Sequence, residues 1–185
     1  MADVVLQSSE DTRAADSHTN VCNLRSEMLS HDLSNIQISV HNVSKKLFEI
    51  LRDTSIGVLN LQTAEYASLA SEILHTLSKL TKLYLWGTYT GQSDFKLPAS
   101  LQCISLQKVE YSSEWLCSLW MSLSSLDHHV KCELFDVVLQ SSEENRRHES
   151  HTHLLDLRSE ILSHDLSNIN LFVNTGSKRT VCNVM

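Results

Sequence analysis

One proline and four glycines in 185 residues leave little material for tight-turn chemistry. That scarcity excludes collagen-like and proline-rich low-complexity chains, and it supplies too little glycine for an oxyanion loop. Positive charge is scarce as well. The net charge is −7 and no basic run is longer than a pair, as at Lys178-Arg179, so a surface that tracks nucleic-acid phosphates is not expected. No stretch approaches the roughly 20 apolar residues of a membrane span. The opening Met-Ala-Asp-Val-Val-Leu lacks the basic flank and long apolar run of a secretory signal. There is no CxxC pair. The five cysteines (Cys22, Cys103, Cys117, Cys132, Cys182) are odd in number and scattered, as free thiols of a reducing compartment would be, and the expected location is the cytoplasm. A single glycosylation sequon, Asn42-Val43-Ser44, points the other way.

What the chain has in quantity is itself. Residues 136–179 repeat residues 3–46 at a constant offset of 133, with 27 of 44 aligned positions identical. Asp3-Val4-Val5-Leu6-Gln7-Ser8-Ser9-Glu10 returns unchanged as 136–143, and Ser30-His31-Asp32-Leu33-Ser34-Asn35-Ile36 returns as 163–169. Cys22 becomes Leu155 in the second copy, which a disulfide framework would tolerate poorly. Val21, Leu24 and Met28 correspond to Leu154, Leu157 and Ile161, so apolar character is kept while neighbouring polar residues drift. A tandem copy of this kind reads as an array in which each unit buries its apolar edge against the next. The chain begins and ends part-way through the large repeat, so the expectation is a slice of a longer array.

A shorter rhythm runs inside the long one. Leu33-x-x-Ile36-x-Ile38, Ile56-x-x-Leu59-x-Leu61, Leu80-x-x-Leu83-x-Leu85, Leu101-x-x-Ile104-x-Leu106 and Leu166-x-x-Ile169-x-Leu171 share one template. Alternate residues of a strand face one side, so Leu59 and Leu61 point inward while Asn60 and Gln62 point outward. The same alternation places Lys82, Tyr84, Trp86, Ser105 and Gln107 on the outward side. Between these strands the spacing turns helical. Leu69, Ile73, Leu77 and Leu80 fall on one face, as do Leu116, Leu119, Leu123 and Leu126 behind the capping serines Ser112 and Ser113. Leu47, Phe48 and Leu51 make a shorter version. Residues 131–137 supply a further strand by alternation, and 86–91 reads as a loop of turn residues before Pro98.

This pattern resembles the leucine-rich repeat family, whose unit of 20–29 residues opens with a short strand. It is most similar to the ribonuclease-inhibitor-like branch found in the sensing arms of NOD-like receptors. The resemblance implies an α/β solenoid of short parallel strands alternating with helices. Its boundaries would be a partial, poorly ordered start at 1–20, five to six units over 21–173, and a tail at 174–185. The family places Asn or Cys three residues after the last strand Leu. Here those positions are His41, Ala64, Thr88 and Val109, so the turns must differ. No nucleotide-binding switch loop of the form Gly-x-x-x-x-Gly-Lys-Ser/Thr is present.

Two groups of residues carry metal chemistry on paper. His148-Glu149-Ser150-His151-Thr152-His153 has the density of a zinc site, but only one of its three histidines is shared with the first copy, and a solvated helix start explains it. His31-Asp32 and His164-Asp165 resemble the HD pair of metal phosphohydrolases. Two dyads 133 residues apart do not serve one site, and Ser-His-Asp ends a helix well because His favours the C-terminal dipole. The expectation is therefore a non-catalytic protein-binding scaffold of a cytoplasmic sensor or adaptor, without metal, cofactor or catalytic residues, innate-immune by resemblance. Its partner is a protein, and self-association through exposed repeat ends is expected as well. Substrate capture for a ubiquitin ligase is the alternative, and a small metal-dependent hydrolase is the reading from a different class. The binding face expected is Asn60, Gln62, Lys82, Tyr84, Trp86, Ser105 and Gln107.

Overall fold

The computed structural model describes residues 2–7, 25–34, 36–41, 45–63, 73–90, 96–139, 167–174 and 179–182. They form an α/β structure built on one nine-stranded sheet. Its strands are β1 (Ala2–Gln7), β2 (Ile36–His41), β3 (Val58–Thr63), β4 (Lys82–Tyr89), β5 (Cys103–Tyr111), β6 (Val130–Phe135), β7 (Val138–Leu139), β8 (Ile169–Asn174) and β9 (Arg179–Cys182). The spatial order is β1-β2-β3-β4-β5-β6-β8-β9, with the two-residue β7 pairing beside β5. Every pairing from β1 to β8 is parallel, whereas β9 returns antiparallel on β8. Parallel neighbours need crossovers rather than hairpins, and the helical segments at 25–30, Lys45–Leu51 and Ser113–Ser124 lie in those crossovers.

Two apolar rows run straight across the sheet. Ile38, Leu59, Leu83, Ile104, Cys132 and Leu171 stand in register, and so do Val40, Leu61, Leu85, Leu106, Leu134 and Val173. All twelve are buried. Each such side chain contributes about 1.5–3 kcal/mol when fully buried, so these rows decide which side of the sheet faces the core. The alternation read from the sequence is thus the one observed.

The Ser113–Ser124 helix forms as its pattern requires. The Ser112 side chain accepts the Trp115 N–H at 3.3 Å, and Trp115, Leu116, Leu119, Trp120 and Leu123 are buried against the sheet. Leu126 lies beyond the cap residue Ser125. The helix expected over 69–80 differs. Ile73 and Leu74 are helical, but Thr76, Leu77 and Leu80 close three-residue turns on Ile73, Leu74 and Leu77, so buried Leu77 and Leu80 are carried by turns. Leu69 lies outside the described residues.

The segment 86–91, expected as a loop, continues β4 through Tyr89. Lys108 is an extra residue on β5, set between the Trp86–Gln107 and Gly87–Val109 pairs, and it adopts a left-handed φ of 49° while Gly87 takes 111°. The bulge shifts the alternation of β5 by one residue, so Val109 and Tyr111 follow Ile104 and Leu106 inward, opposite Gly87 and Tyr89 in the unbroken alternation of β4. Tyr89 packs on Trp115 with ring centroids 4.7 Å apart. Thr88 and Val109, two of the positions at which the sequence has neither Asn nor Cys, sit within β4 and β5. At β6 the strand ends at Phe135 because Asp136 adopts φ 50°. Within the expected start at 1–20 and tail at 174–185, Ala2–Gln7 pairs with β2 and Arg179–Cys182 with β8, and residues 8–20, 175–178 and 183–185 lie outside the described residues.

Successive turns are tied by side chains at the N-terminal ends of the strands. Ser55 Oγ accepts from Leu33 N and donates to the His31 carbonyl, Thr81 Oγ1 donates to Gly57 O, and Ser100 Oγ to Leu80 O. His128 Nε2 meets the Leu101 carbonyl at 2.6 Å, and Asn168 Nδ2 donates to Leu123 O and Leu126 O. Each bond reaches back roughly one crossover and satisfies backbone groups that would otherwise be orphaned.

Candidate functional site: the outward strand face

The side of the sheet opposite the apolar rows carries three further rows in register. The first runs Gln37, Val58, Lys82, Cys103, Lys131, Asn170. The second runs Ser39, Asn60, Tyr84, Ser105, Glu133, Phe172. The third includes Gln62, Trp86, Gln107, Phe135 and Asn174. Neighbouring strands lie about 4.8 Å apart, so each row places unlike side chains side by side on a shallow surface.

Of the seven residues expected there, Gln62 and Lys82 are exposed, and Asn60, Tyr84, Trp86 and Gln107 are half-buried. Ser105 is a correction. It is fully buried, because its short side chain lies between Tyr84 and Glu133 and under Gln107, whose Nε2 donates to Ser105 Oγ at 3.1 Å. It positions Gln107 and is not itself available. The Trp86 Nε1 donor is buried and has no hydrogen-bond partner among the described residues.

Alternation read from β3, β4 and β5 missed the contributions of β6 and β8. Lys131 Nζ pairs with Glu133 two residues along the same strand and lies 5.0 Å from the centre of the Phe172 ring. Lys131 is exposed and Glu133 half-buried, so solvent screens the pair and it adds little stability. Its effect is local electrostatics. Burial, then the charge that Cys103 and Glu133 place nearby, raises the Tyr84 hydroxyl above its ordinary value. Burial, then Glu133, raises the Cys103 thiol. Both groups are therefore protonated at neutral pH, a donor and an inert thiol rather than nucleophiles. The signal for Phe172 was in the sequence: it stands between Leu171 and Val173, the copies of Ile38 and Val40.

The histidine dyad of the first copy behaves as a helix end. His31 Nδ1 meets the Glu27 carbonyl at 2.8 Å in the last turn of the 25–30 helix, and Asp32 Oδ1 accepts the Ser34 N–H at 3.0 Å. Those bonds to Ser34 hold the exposed Asp32 carboxyl below its usual range. No three His, Cys, Asp or Glu side chains among the described residues converge as metal ligands. His148, His151, His153 and His164-Asp165 lie outside the described residues. No described helix is long and apolar enough to cross a membrane. No family model matches this chain. Neither the curated proteins nor the solved structures compared with it provide a match.

Proposed function

We propose that this chain is a leucine-rich-repeat-like solenoid that acts as a non-catalytic protein-binding scaffold, working in the cytoplasm as part of a sensor or adaptor. The observation that carries the reading is the outward strand face. Four adjacent parallel strands, β4, β5, β6 and β8, present Lys82, Tyr84, Trp86, Gln107, Lys131 and Phe172 on one surface, fixed from behind by two apolar rows. Aromatic groups with a polar tip, amides and a few charges over a rigid backing are the composition of protein interfaces. Rigidity matters here, since a preformed face loses less entropy on binding.

The test is a photo-reactive amino acid placed at Tyr84, at Trp86 and, for comparison, at Met121, which is exposed on the helix away from that face. Discrete protein adducts from the first two positions and none from Met121 are expected. Adducts that depend on Met121 alone would overturn the assignment of the face. Stoichiometric zinc in the purified protein, lost on His151→Ala, would favour the hydrolase reading instead.

A further inference from the structure

The duplication makes β8 the copy of β2, residue for residue from Ile36/Ile169 to His41/Asn174. The two strands have different neighbours. β2 is flanked on both sides by parallel strands, and its far edge takes β3 with Ile38 beside Leu59 and Val40 beside Leu61. β8 takes β6 on one side. Its other edge takes four residues running the opposite way, with Leu171 beside Cys182 and Val173 beside Thr180. At the opposite end of the sheet, β1 pairs with β2 through one edge only among the described residues.

We propose that β9 is a removable edge guard, and that the β8 edge it covers is a docking site for β1 of a second copy of this chain. The docked strand would lie parallel to β8, as every strand from β1 to β8 does to its neighbour. The register follows from the apolar rows. Val4 and Leu6 stand beside Ile38 and Val40 at the start of those rows, and Leu171 and Val173 end them. Setting Val4 of the second copy beside Leu171, and Leu6 beside Val173, continues both rows without a break. β9 instead puts Cys182 and Thr180 at the row ends, with a strand of only four residues. Very short edge strands are a common means of closing a sheet edge against further pairing. Because β8 and β1 are different surfaces, the contact is head-to-tail and propagates instead of closing at a dimer. This inference is independent of what the outward face binds.

The experiment compares the wild-type chain with a Thr180→Pro, Val181→Pro variant by sedimentation velocity over a range of concentrations. Consecutive N–H groups of a strand point to opposite edges, so the pair removes whichever one bonds β8. The wild type is expected to sediment as a smaller species. The variant is expected to form larger species at about tenfold lower concentration. Adding Val4→Pro and Val5→Pro to that variant should return it to wild-type behaviour. A folded β9 variant that sediments as the wild type does, or association that persists without an intact β1, overturns the proposal. If the double proline chain does not fold, Thr180→Gly with Val181→Gly weakens β9 through strand propensity alone, and the same two outcomes decide.

Discussion

A β-carbon on Gly57 would stand 1.8 Å from the carbonyl oxygen of Ser34. The two backbones are held that close because the Gly57 N–H donates to Leu33 O while Gly57 O accepts from Thr81 and Lys82. Neither side of the contact is a flexible side chain. Gly57→Ala is therefore expected to cost about 1–3 kcal/mol through forced backbone movement. Thermal melts check it. Ser34→Ala should not restore the loss, since the obstructing atom belongs to the main chain.

His128 makes stability depend on pH. Its bond to the Leu101 carbonyl, then its contact with Asp127, raises its pKa above the ordinary histidine value. A group whose folded pKa is raised contributes stability that is complete below the unfolded value, about 6.5, and is lost as pH climbs through the folded one. The melting temperature should fall as pH rises from about 6 towards 8. In His128→Gln that component of the slope should vanish. Asp32 acts in the opposite sense: its lowered pKa contributes stability that is lost only as pH drops through the folded value.

Cysteine reactivity should divide by depth. Cys132 is fully buried in the apolar row and burial pushes its thiol far up, whereas Cys103 and Cys117 are half-buried. Alkylation of the native protein, read by peptide mass spectrometry, should spare Cys132 until denaturant is added. Early modification of Cys132 would mean that the β6 register is wrong.

The Ser112 cap offers a graded test. Ser112→Ala removes the acceptor for Trp115 N and should cost about 1 kcal/mol, measured by denaturant titration. His31→Ala, which removes a solvated contact with Glu27 O, should cost no more than about 0.3–1 kcal/mol.

The sequence made the strands legible because their signal is local. Leu59-x-Leu61 and Ile104-x-Leu106 state an alternation that the rows then confirm across the sheet. What escaped depends on neighbours. No residue type at Lys108 announces a bulge, yet that bulge keeps Trp86–Tyr89 in the sheet. Leu77 and Leu80 keep a helical spacing although turns carry them, because periodicity records burial and not the backbone that delivers it. Ser105 was misplaced since alternation gives a side but not a depth. The identical segments Asp3–Gln7 and Asp136–Gln140 are the sharpest case. In the first copy Ala2 pairs with Ile36. In the second, Val130 pairs with Ile169, five residues ahead of the copied position Phe135, and Val138–Leu139 pairs with β5 instead. Tertiary context overrides an identical local sequence.

Each strand divides into a buried and a presented side, and adjacent residues on β4 test that division most directly. Leu83 is 1% exposed in the centre of an apolar row, and Tyr84 beside it is half-buried on the outward face. Circular dichroism melts of Leu83→Asp and Tyr84→Ser make the comparison. An unpaired carboxylate at position 83 costs several kcal/mol, enough to exhaust a stability of about 5–15 kcal/mol at its lower end, so that chain should be unfolded. Tyr84→Ser should retain a cooperative melt within about 1 kcal/mol of the wild type. A folded Leu83→Asp, or a Tyr84→Ser chain that collapses, would contradict the account.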